Sequence, residues 1–358
     1  MTYLENRGKL LVVSTDFVSD RQNSAPLIGH GTFFLTLGTT GDFQMPAHVT
    51  DDSIPIGQSP FNYLLNQPTI RIRNWDDVQK KLHHMKDGGK DKLLVISDFD
   101  WTLSRSIDDA GEPCWSTHGL FKNCAHEVDP ELPGKLEALK LKYYPIEYCP
   151  KMTLEEKIPH MEEWWTTAHN HIIEAKFEKS IIQGYVETSK IALRTGTEDM
   201  MSQLETHSVP LVIFSAGIGN IIEMFFDQKF GRKLDNMHLI SNMMLFNEQD
   251  RVVSFSDPLI HTFCKNSSVV RKDEVFYKEM AERDNIILLG DSMGDIHMAL
   301  EYGVEKNGHT LKIGFLNGDI ERLLDHYMDV YDIVIVQDQS MTIPASIVNH
   351  IVQIVSKM

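Results

Sequence analysis

Short apolar runs alternate with amphipathic stretches along most of the chain. Five of these runs have the length of buried strands, at 93–97, 209–217, 285–290, 311–317 and 331–338. Helical patterns separate the last of them, and alternating strands and helices predict a parallel sheet with right-handed crossovers. HLISNMMLF and VVSFS, which NEQDR separates, predict a hairpin. The fold class is therefore α/β.

The pattern changes after Ser104, which indicates an insert in this sheet. Residues 105–132 are polar and loop-like, and helices are predicted over 133–144 and after Thr153, where Glu156 completes a capping box. The chain then divides into three parts: an extension that is peripheral or poorly ordered (1–66), an α/β core (67–104 and 206–358), and a helical insert (105–205). Further predicted elements are strands at 9–13 and 31–38 and helices at 75–85, 218–230 and from 271.

Composition limits the classes of function. The chain has 358 residues, 42% of them hydrophobic, and a net charge of −17. That charge argues against binding to nucleic-acid polymers or to an anionic membrane surface. The four cysteines form no CxxC motif, and no apolar run approaches the roughly 18–20 residues of a membrane span. We expect a monomer in the cytoplasm.

Acidic residues follow two of the predicted strands. Asp98 and Asp100 come directly after the strand at 93–97, and Asp291 and Asp295 follow the strand at 285–290. Ligands of open α/β sheets bind beyond the carboxyl ends of the strands, and clustered carboxylates with waters and phosphate suit Mg²⁺. The alternatives are a merely polar strand exit for the first pair and a helix N-cap for Asp295.

Groups that could hold an anion occur beside these carboxylates. Ser215, Ala216 and Gly217 end the strand at 209–217 and open directly into a helix, where a hydroxyl and backbone N–H groups could cradle a phosphate. Lys265 could neutralise it, and the hydroxyl of Thr102 could hold a phosphate oxygen or cap a turn. A plain tight turn and a surface lysine remain the alternatives.

The ordered set DFDWTLS, FSAG, Lys265 and GDSMGD resembles the haloacid-dehalogenase superfamily. Within it, the chain is similar to the cytosolic 5′-nucleotidase III family from about residue 70 onward, through YYPIE, MTLEEK, FSAGIG, LIHTFCKNSS and ILLGDSMGD. The resemblance implies a Rossmann-like parallel sheet whose helical insert, after the first strand, is a cap that determines specificity.

The resemblance also implies roles for individual residues. Asp98 would be the nucleophile that forms an aspartyl-phosphate, and Asp100 the general acid/base, with a pKa raised by its carboxylate neighbours. Asp98, Asp291 and the backbone carbonyl of Asp100 would hold Mg²⁺. The phosphate would be held by Ser215, Ala216, Gly217 and Lys265, with Thr102 and Asp295 in support.

Specificity would depend on the insert. In the resembled family, the glutamate of YYPIE recognises the base; here it is Glu147. Trp164–Trp165 with Ala168 before His169 is similar to the branch specific for 7-methylguanosine phosphate. We assign Trp165 to the cationic base and Trp164 to the core, against the alternative that both only pack. The predicted substrate is 7-methyl-GMP, and also CMP. The alternatives are a pyrimidine 5′-nucleotidase and a non-catalytic nucleotide-binding protein.

Overall fold

The structure, a computed structural model, describes residues 59–149, 151–266, 280, 282–299 and 309–353. The strands predicted at 9–13 and 31–38 and the helix predicted to start at 271 lie outside these residues. Within them, every helix is too short or too polar to cross a membrane.

A seven-stranded sheet forms the centre of the described fold. Its strands are β1 (Ile70–Arg71), β2 (Leu93–Ser97), β3 (Leu211–Ile218), β4 (Met237–Asn242), β7 (Asn285–Gly290), β8 (His309–Leu316) and β9 (Ile333–Val336). Their order is β1-β9-β8-β7-β2-β3-β4, and every neighbouring pair is parallel except β1 with β9. All five residues of β2 are buried, as expected of a central parallel strand. The predicted α/β class is confirmed.

The predicted hairpin is only partly correct. β5 (Met244–Phe246) and β6 (Val252–Phe255) form an antiparallel pair around the turn NEQDR. β4, which the prediction placed in the same hairpin, instead joins the edge of the main sheet parallel to β3. The first four residues of β4 are only half-buried. An edge strand of this kind lacks the continuous apolar run that identifies a central one.

Helices cover the sheet and fill the insert. The described helices are α1 (Trp75–Gly88), α2 (Thr117–Cys124), α3 (Leu132–Glu147), α4 (Leu154–Ala175), α5 (Lys179–Glu187), α6 (Thr197–Thr206), α7 (Gly219–Phe230), α8 (Ile320–Val330) and α9 (Thr342–Val352). Helices α2 to α5 follow β2, while α6 packs against α9 beside the sheet. The capping box that starts α4 is present: the Thr153 N–H donates to the Glu156 carboxylate at 2.8 Å, and the Glu156 N–H donates to the Thr153 hydroxyl at 3.3 Å.

Residues just before β1 belong to the core of the sheet domain. Phe61 and the short 3₁₀ helix Asn62–Asn66 lie within the predicted extension 1–66, yet Phe61 and Leu64 are completely buried. The ring of Phe61 contacts His83 of α1 and His350 of α9, with centroids 6.0 and 5.4 Å apart. This segment therefore covers the sheet face between the first and last described helices.

Candidate active site

A cavity of about 520 Å³ opens between the carboxyl ends of the parallel strands and the helices of the insert. Nine of the residues predicted as site residues line it: Asp98, Asp100, Glu147, Trp165, Ser215, Ala216, Gly217, Lys265 and Asp291. Thr102 and Asp295, predicted as supporting residues, are completely buried beneath its wall. The cavity lies where ligands of open α/β sheets bind.

The turn after β2 is strained and tightly held. Trp101 has a φ of +63°, which is uncommon for a bulky residue and costs conformational energy. Its N–H donates to the hydroxyl of Ser104 at 2.8 Å. The buried guanidinium of Arg194 donates to the carbonyl oxygens of Trp101 and Thr102 at 2.6 and 2.7 Å. These bonds fix the turn so that both Asp98 and Asp100 face the cavity.

Lys265 lies between two carboxylates at the floor of the cavity. It is 4% exposed, and its Nζ donates to Asp98 and, at 2.7 Å, to Asp295. Burial alone would lower the pKa of Lys265, but these two carboxylates hold that pKa above its ordinary value. The surface-lysine alternative is therefore wrong.

Asp295 anchors this arrangement from below. Its second carboxylate oxygen accepts the backbone N–H groups of Asp291 and Ser292 at 3.1 and 2.9 Å. The side chain does not cap the short 3₁₀ helix Asp295–His297 that it begins. It therefore bonds backward to the end of β7, which is not the N-cap role considered from the sequence.

Three carboxylates meet closely enough to share a metal ion. Oxygen atoms of Asp98, Asp291 and Asp295 all lie within 4.8 Å of one another. Burial, followed by the charges of Asp98 and Asp295, raises the pKa of Asp291 well above its usual range. A hard divalent cation would relieve this repulsion, so the oxygen donors fit Mg²⁺. Lys265 and two backbone N–H groups engage both oxygens of Asp295, whereas Lys265 engages only one oxygen of Asp98, so Asp98 and Asp291 are the better ligands.

Asp100 is held by one residue of the insert. Its two carboxylate oxygens accept the backbone N–H and the hydroxyl of Thr117 at 2.8 and 2.7 Å. Burial raises the pKa of Asp100 to about 6, and the two bonds from Thr117 oppose this rise. The direction is the one expected from the sequence, but the cause is burial rather than neighbouring carboxylates.

Thr117 was missed because residues 105–132 were predicted to be a loop. It is the first residue of α2, and Ser116 caps that helix by accepting the N–H of Gly119 at 3.0 Å. A serine immediately before a short apolar stretch is an N-cap signal that could have located the helix. Gly119 and Asn123 inside the stretch weakened the helical pattern.

The end of β3 differs in one respect from the predicted anion cradle. Its pairing with β4 is interrupted between Phe214 and Ile218. The N–H of Gly217 donates to the hydroxyl oxygen of Ser215 at 3.0 Å, and that of Ile218 donates to Thr117 at 3.1 Å. The backbone N–H of Gly217, which the sequence suggested was free for a phosphate, is therefore already engaged here.

The opposite wall of the cavity carries Glu147 and the two tryptophans. Glu147, the last residue of α3, accepts the hydroxyl of Thr262 at 2.7 Å. Burial raises the pKa of Glu147 to about 7, against the opposing effect of this bond. The indole N–H of Trp165 donates to the carbonyl of Ala216 at 2.8 Å, which joins α4 to the end of β3.

Trp164 both packs and reaches the cavity. Its ring stacks on Tyr143 with centroids 5.8 Å apart, and it is also a lining residue. Further lining side chains that the sequence analysis did not single out include His118, Tyr144, Tyr148 and Thr262. Burial lowers the pKa of His118 to about 4, so its imidazole is neutral at pH 7. Of these residues, Tyr144 lies in YYPIE and Thr262 in LIHTFCKNSS, two of the motifs that carry the resemblance.

Comparison with known proteins agrees with this geometry. Residues 101–352 match the family described as pyrimidine 5′-nucleotidase (UMPH-1). The putative cytosolic 5′-nucleotidase 3 of Caenorhabditis elegans is 51% identical over 81% of this chain and 77% of the relative. The 7-methylguanosine phosphate-specific 5′-nucleotidase of Gallus gallus is 40% identical over 80% and 97%.

A solved structure gives the same result. The crystal structure of cytosolic 5′-nucleotidase IIIB bound to cytidine superposes with a TM-score of 0.71 and 32% identity, covering 80% of this chain and 95% of that one. Sequence, fold and the residues that line the cavity thus point to one group of enzymes. The chain belongs to the pyrimidine 5′-nucleotidase (UMPH-1) family and is a 5′-nucleotidase.

Proposed function

We propose that this 5′-nucleotidase hydrolyses 7-methylguanosine 5′-monophosphate, and also CMP, through an aspartyl-phosphate. One observation carries the proposal: the same cavity has Asp98, Asp100 and Lys265 at the strand ends and Glu147 and Trp165 on the insert. The first group suits a phosphate and the second suits a base. A nucleoside monophosphate has both parts in one molecule.

In the first step, a carboxylate oxygen of Asp98 attacks phosphorus. The bond from phosphorus to the 5′-oxygen breaks, and Asp100 gives its proton to that oxygen, which leaves as the nucleoside hydroxyl. In the second step, water attacks the phosphorus of the aspartyl-phosphate and gives a proton to Asp100. The bond to Asp98 then breaks, and inorganic phosphate leaves.

The phosphate is held by groups around Asp98. Lys265 already contacts Asp98 and supplies a positive charge for the phosphate oxygens, where positioning and electrostatics provide most of the catalysis. Ser215 and Ala216 line the same part of the cavity, and the hydroxyl of Ser215 is available as a donor. Asp295 and Thr102 hold two residues of the site in place. Asp295 orients Lys265, and the hydroxyl of Thr102 donates to Asp291 at 3.5 Å.

Mg²⁺ is the proposed cofactor. Asp98 and Asp291, with the backbone carbonyl of Asp100, would hold it, and the clustering of their oxygens supports this assignment. Bound there, the ion would neutralise charge on the phosphoryl group. A divalent ion would also let Asp98 remain ionised beside Asp291 at neutral pH, since burial raises the pKa of both carboxyl groups.

The insert, as a cap over the strand ends, is proposed to select the base. N7-methylguanine is cationic, and its N1–H and N2–H groups are donors that the Glu147 carboxylate could accept. A cation over an indole face gains about 0.5–2 kcal/mol, and Trp165 offers such a face. The bond from Trp165 to Ala216 fixes the indole next to the phosphate-binding residues. The name of the Gallus gallus relative supports this substrate.

A pyrimidine nucleotidase acting on CMP and UMP is the second candidate. The family description and the cytidine-bound neighbour favour it. The Glu147 carboxylate could accept a hydrogen bond from the N4 amine of cytosine as well as from the N1–H and N2–H groups of guanine. A cytoplasmic location is also proposed, supported by the name of the Caenorhabditis elegans relative. A monomeric state is proposed as well.

Phosphate release from 7-methyl-GMP, CMP, UMP, GMP and AMP, with Mg²⁺ and with chelator, tests the proposal. We expect the highest kcat/KM for 7-methyl-GMP, followed by CMP, and no turnover with chelator. Asp98→Asn should abolish turnover and leave the fold intact, which a circular dichroism spectrum like that of the wild type would show. A higher kcat/KM for UMP than for 7-methyl-GMP would select the second candidate. Substantial activity in Asp98→Asn would refute the nucleophile assignment.

A further inference from the structure

Thr117 connects three parts of the active site that come from different elements. It is completely buried at the start of α2, in the insert. Its backbone N–H and its hydroxyl donate to the two carboxylate oxygens of Asp100, at 2.8 and 2.7 Å. The N–H of Ile218, at the end of β3, donates to the same hydroxyl oxygen at 3.1 Å. One side chain therefore joins the insert, the turn after β2 and the end of β3.

This arrangement fixes both the plane and the position of the Asp100 carboxyl group. A hydroxyl can rotate freely unless its acceptor site is occupied. Because the Ile218 N–H occupies a lone pair of Thr117 Oγ1, the hydroxyl hydrogen points toward Asp100. Two donors from one residue, one to each oxygen, then prevent rotation of the carboxyl group about its last bond.

The space for this contact depends on Gly217. A Cβ atom built on Gly217 would lie 2.2 Å from Oγ1 of Thr117 and 2.8 Å from Oδ2 of Asp100. Its backbone does not adopt the positive φ that favours glycine. The absence of a side chain at position 217 is therefore explained by the close approach of Thr117 and Asp100, independently of the hydrogen bonds themselves.

We propose that Thr117 is a positioning residue for Asp100, which it aims at the leaving 5′-oxygen through a contact that only glycine at position 217 allows. The proposal rests on the proposed role of Asp100 as general acid/base. It assigns to the insert a part in proton transfer, beyond selecting the base. In this proposal, Gly217 leaves room for Thr117 and Asp100 and does not make the phosphate contact expected from the sequence.

Replacing the hydroxyl of Thr117 by a methyl group of the same shape provides the test. We expect Thr117→Val to lower kcat by about 10- to 100-fold, because a small misplacement of a catalytic group costs this much, while KM changes less than about twofold. Thr117→Ser, which keeps the hydroxyl, should recover most of the lost kcat. Gly217→Ala should lower kcat in the same way.

A matched control separates positioning from packing. Thr197 is also completely buried and is the first residue of α6, and its hydroxyl reaches the carbonyl of Leu103 at 3.4 Å. Thr197→Val should change kcat by less than about twofold. If Thr197→Val lowered kcat as much as Thr117→Val, or if Thr117→Ser recovered nothing, the positioning role would be wrong.

A double-mutant cycle distinguishes this inference from the proposed function. In an Asp100→Ala background, Thr117→Val should cost no further activity, because the group that it positions is absent. An equal loss in both backgrounds, or an unchanged kcat in Thr117→Val alone, would overturn the role of Thr117 and leave that of Asp100 intact. Full turnover by Asp100→Ala itself would instead refute the proposed function of Asp100.

Discussion

The ammonium nitrogen of Lys265 lies 2.7 Å from a carboxylate oxygen of Asp295, and the two side chains are 4% and 0% exposed. A buried charge is tolerated only when it is paired and hydrogen-bonded. Here the pair is completed by Asp98 on the other side of the ammonium group. Asp295 thus supports the cation that the proposed mechanism needs, without itself facing the cavity.

Asp295→Asn should destabilise the fold by about 3 kcal/mol, because it removes one charge from a buried pair and leaves the other less compensated. Asparagine keeps the shape and one acceptor oxygen, so the loss combines the missing charge with the one oxygen that no longer accepts a hydrogen bond. Denaturant unfolding of the wild type and the variant measures the difference. Asp325→Asn is the matched control, since Asp325 is 94% exposed beside Arg73, and it should change stability by less than about 0.5 kcal/mol. Equal effects of the two variants would contradict the prediction.

Mg²⁺ should raise the unfolding temperature of the wild type, because it relieves the repulsion between Asp98 and Asp291. A ligand present at 100 times its Kd stabilises by about 2.7 kcal/mol. Asp291→Asn should abolish most of this shift. Thermal scans with MgCl₂, and with NaCl at the same ionic strength, separate binding from screening. A shift that survives in Asp291→Asn would place the ion elsewhere.

Substrate affinity should fall as the pH falls through about 7, the value to which burial raises the pKa of Glu147. Below it the side chain is neutral and attracts a cationic base less strongly. The KM for 7-methyl-GMP in the wild type, divided by that in Glu147→Gln, should therefore rise toward low pH. Dividing by the variant cancels the titration of the substrate itself. A ratio independent of pH would contradict the assignment of Glu147 to the base.

The same shift has an opposite consequence for stability. The folded pKa of Glu147 is raised above its ordinary value of 4.5. Protonation of Glu147 therefore favours the folded state, and this stabilisation is complete below pH 4.5 and is lost as the pH rises through about 7. Relative to the wild type, Glu147→Gln should gain stability between pH 4 and pH 8. Urea midpoints at the two pH values measure the change.

Trp165→Leu should reduce discrimination between a cationic and a neutral base. Loss of the indole face weakens binding of the cationic base by about 0.5–2 kcal/mol. The ratio of kcat/KM for 7-methyl-GMP over CMP should therefore fall roughly 2- to 30-fold. Packing losses common to both substrates cancel in this ratio. Trp164→Leu is the matched control and should leave the ratio within about twofold. The stacking assignment fails if the two variants change the ratio equally.

The central strands and their acidic ends could be predicted from the sequence because a buried parallel strand needs an apolar residue at every position. β2 and β7 are buried along their whole length and contain the apolar runs 93–96 and 286–289. β1 has only two residues, and β4 is half-buried at the sheet edge, so neither produces such a run. Where an edge strand joins the sheet depends on the strand that it pairs with, and the sequence pattern alone does not show this pairing.

The site residues divide in a similar way. Asp98 and Asp291 were predicted because like charges beside a strand end require a ligand or a partner, and Lys265 was predicted through the resemblance to the family. Thr117 and Thr262 were not, since a threonine has no unusual property until its hydroxyl meets a particular carboxylate. Their roles depend on distances between segments far apart in the chain, 2.7 Å in both cases, and such distances become visible only once the chain has folded.

Arg194 is the structural feature with the widest consequence. Its guanidinium group bonds the carbonyl oxygens of Trp101 and Thr102, the carbonyl of Asp338 and the side chain of Asn317. Each of these groups lies more than ninety residues from Arg194 in the chain. The turn that aims the nucleophile can thus take shape only after remote stretches have assembled. A chain synthesised past Asp295 but not yet as far as Asn317 would carry every reactive side chain and still leave nucleotides untouched.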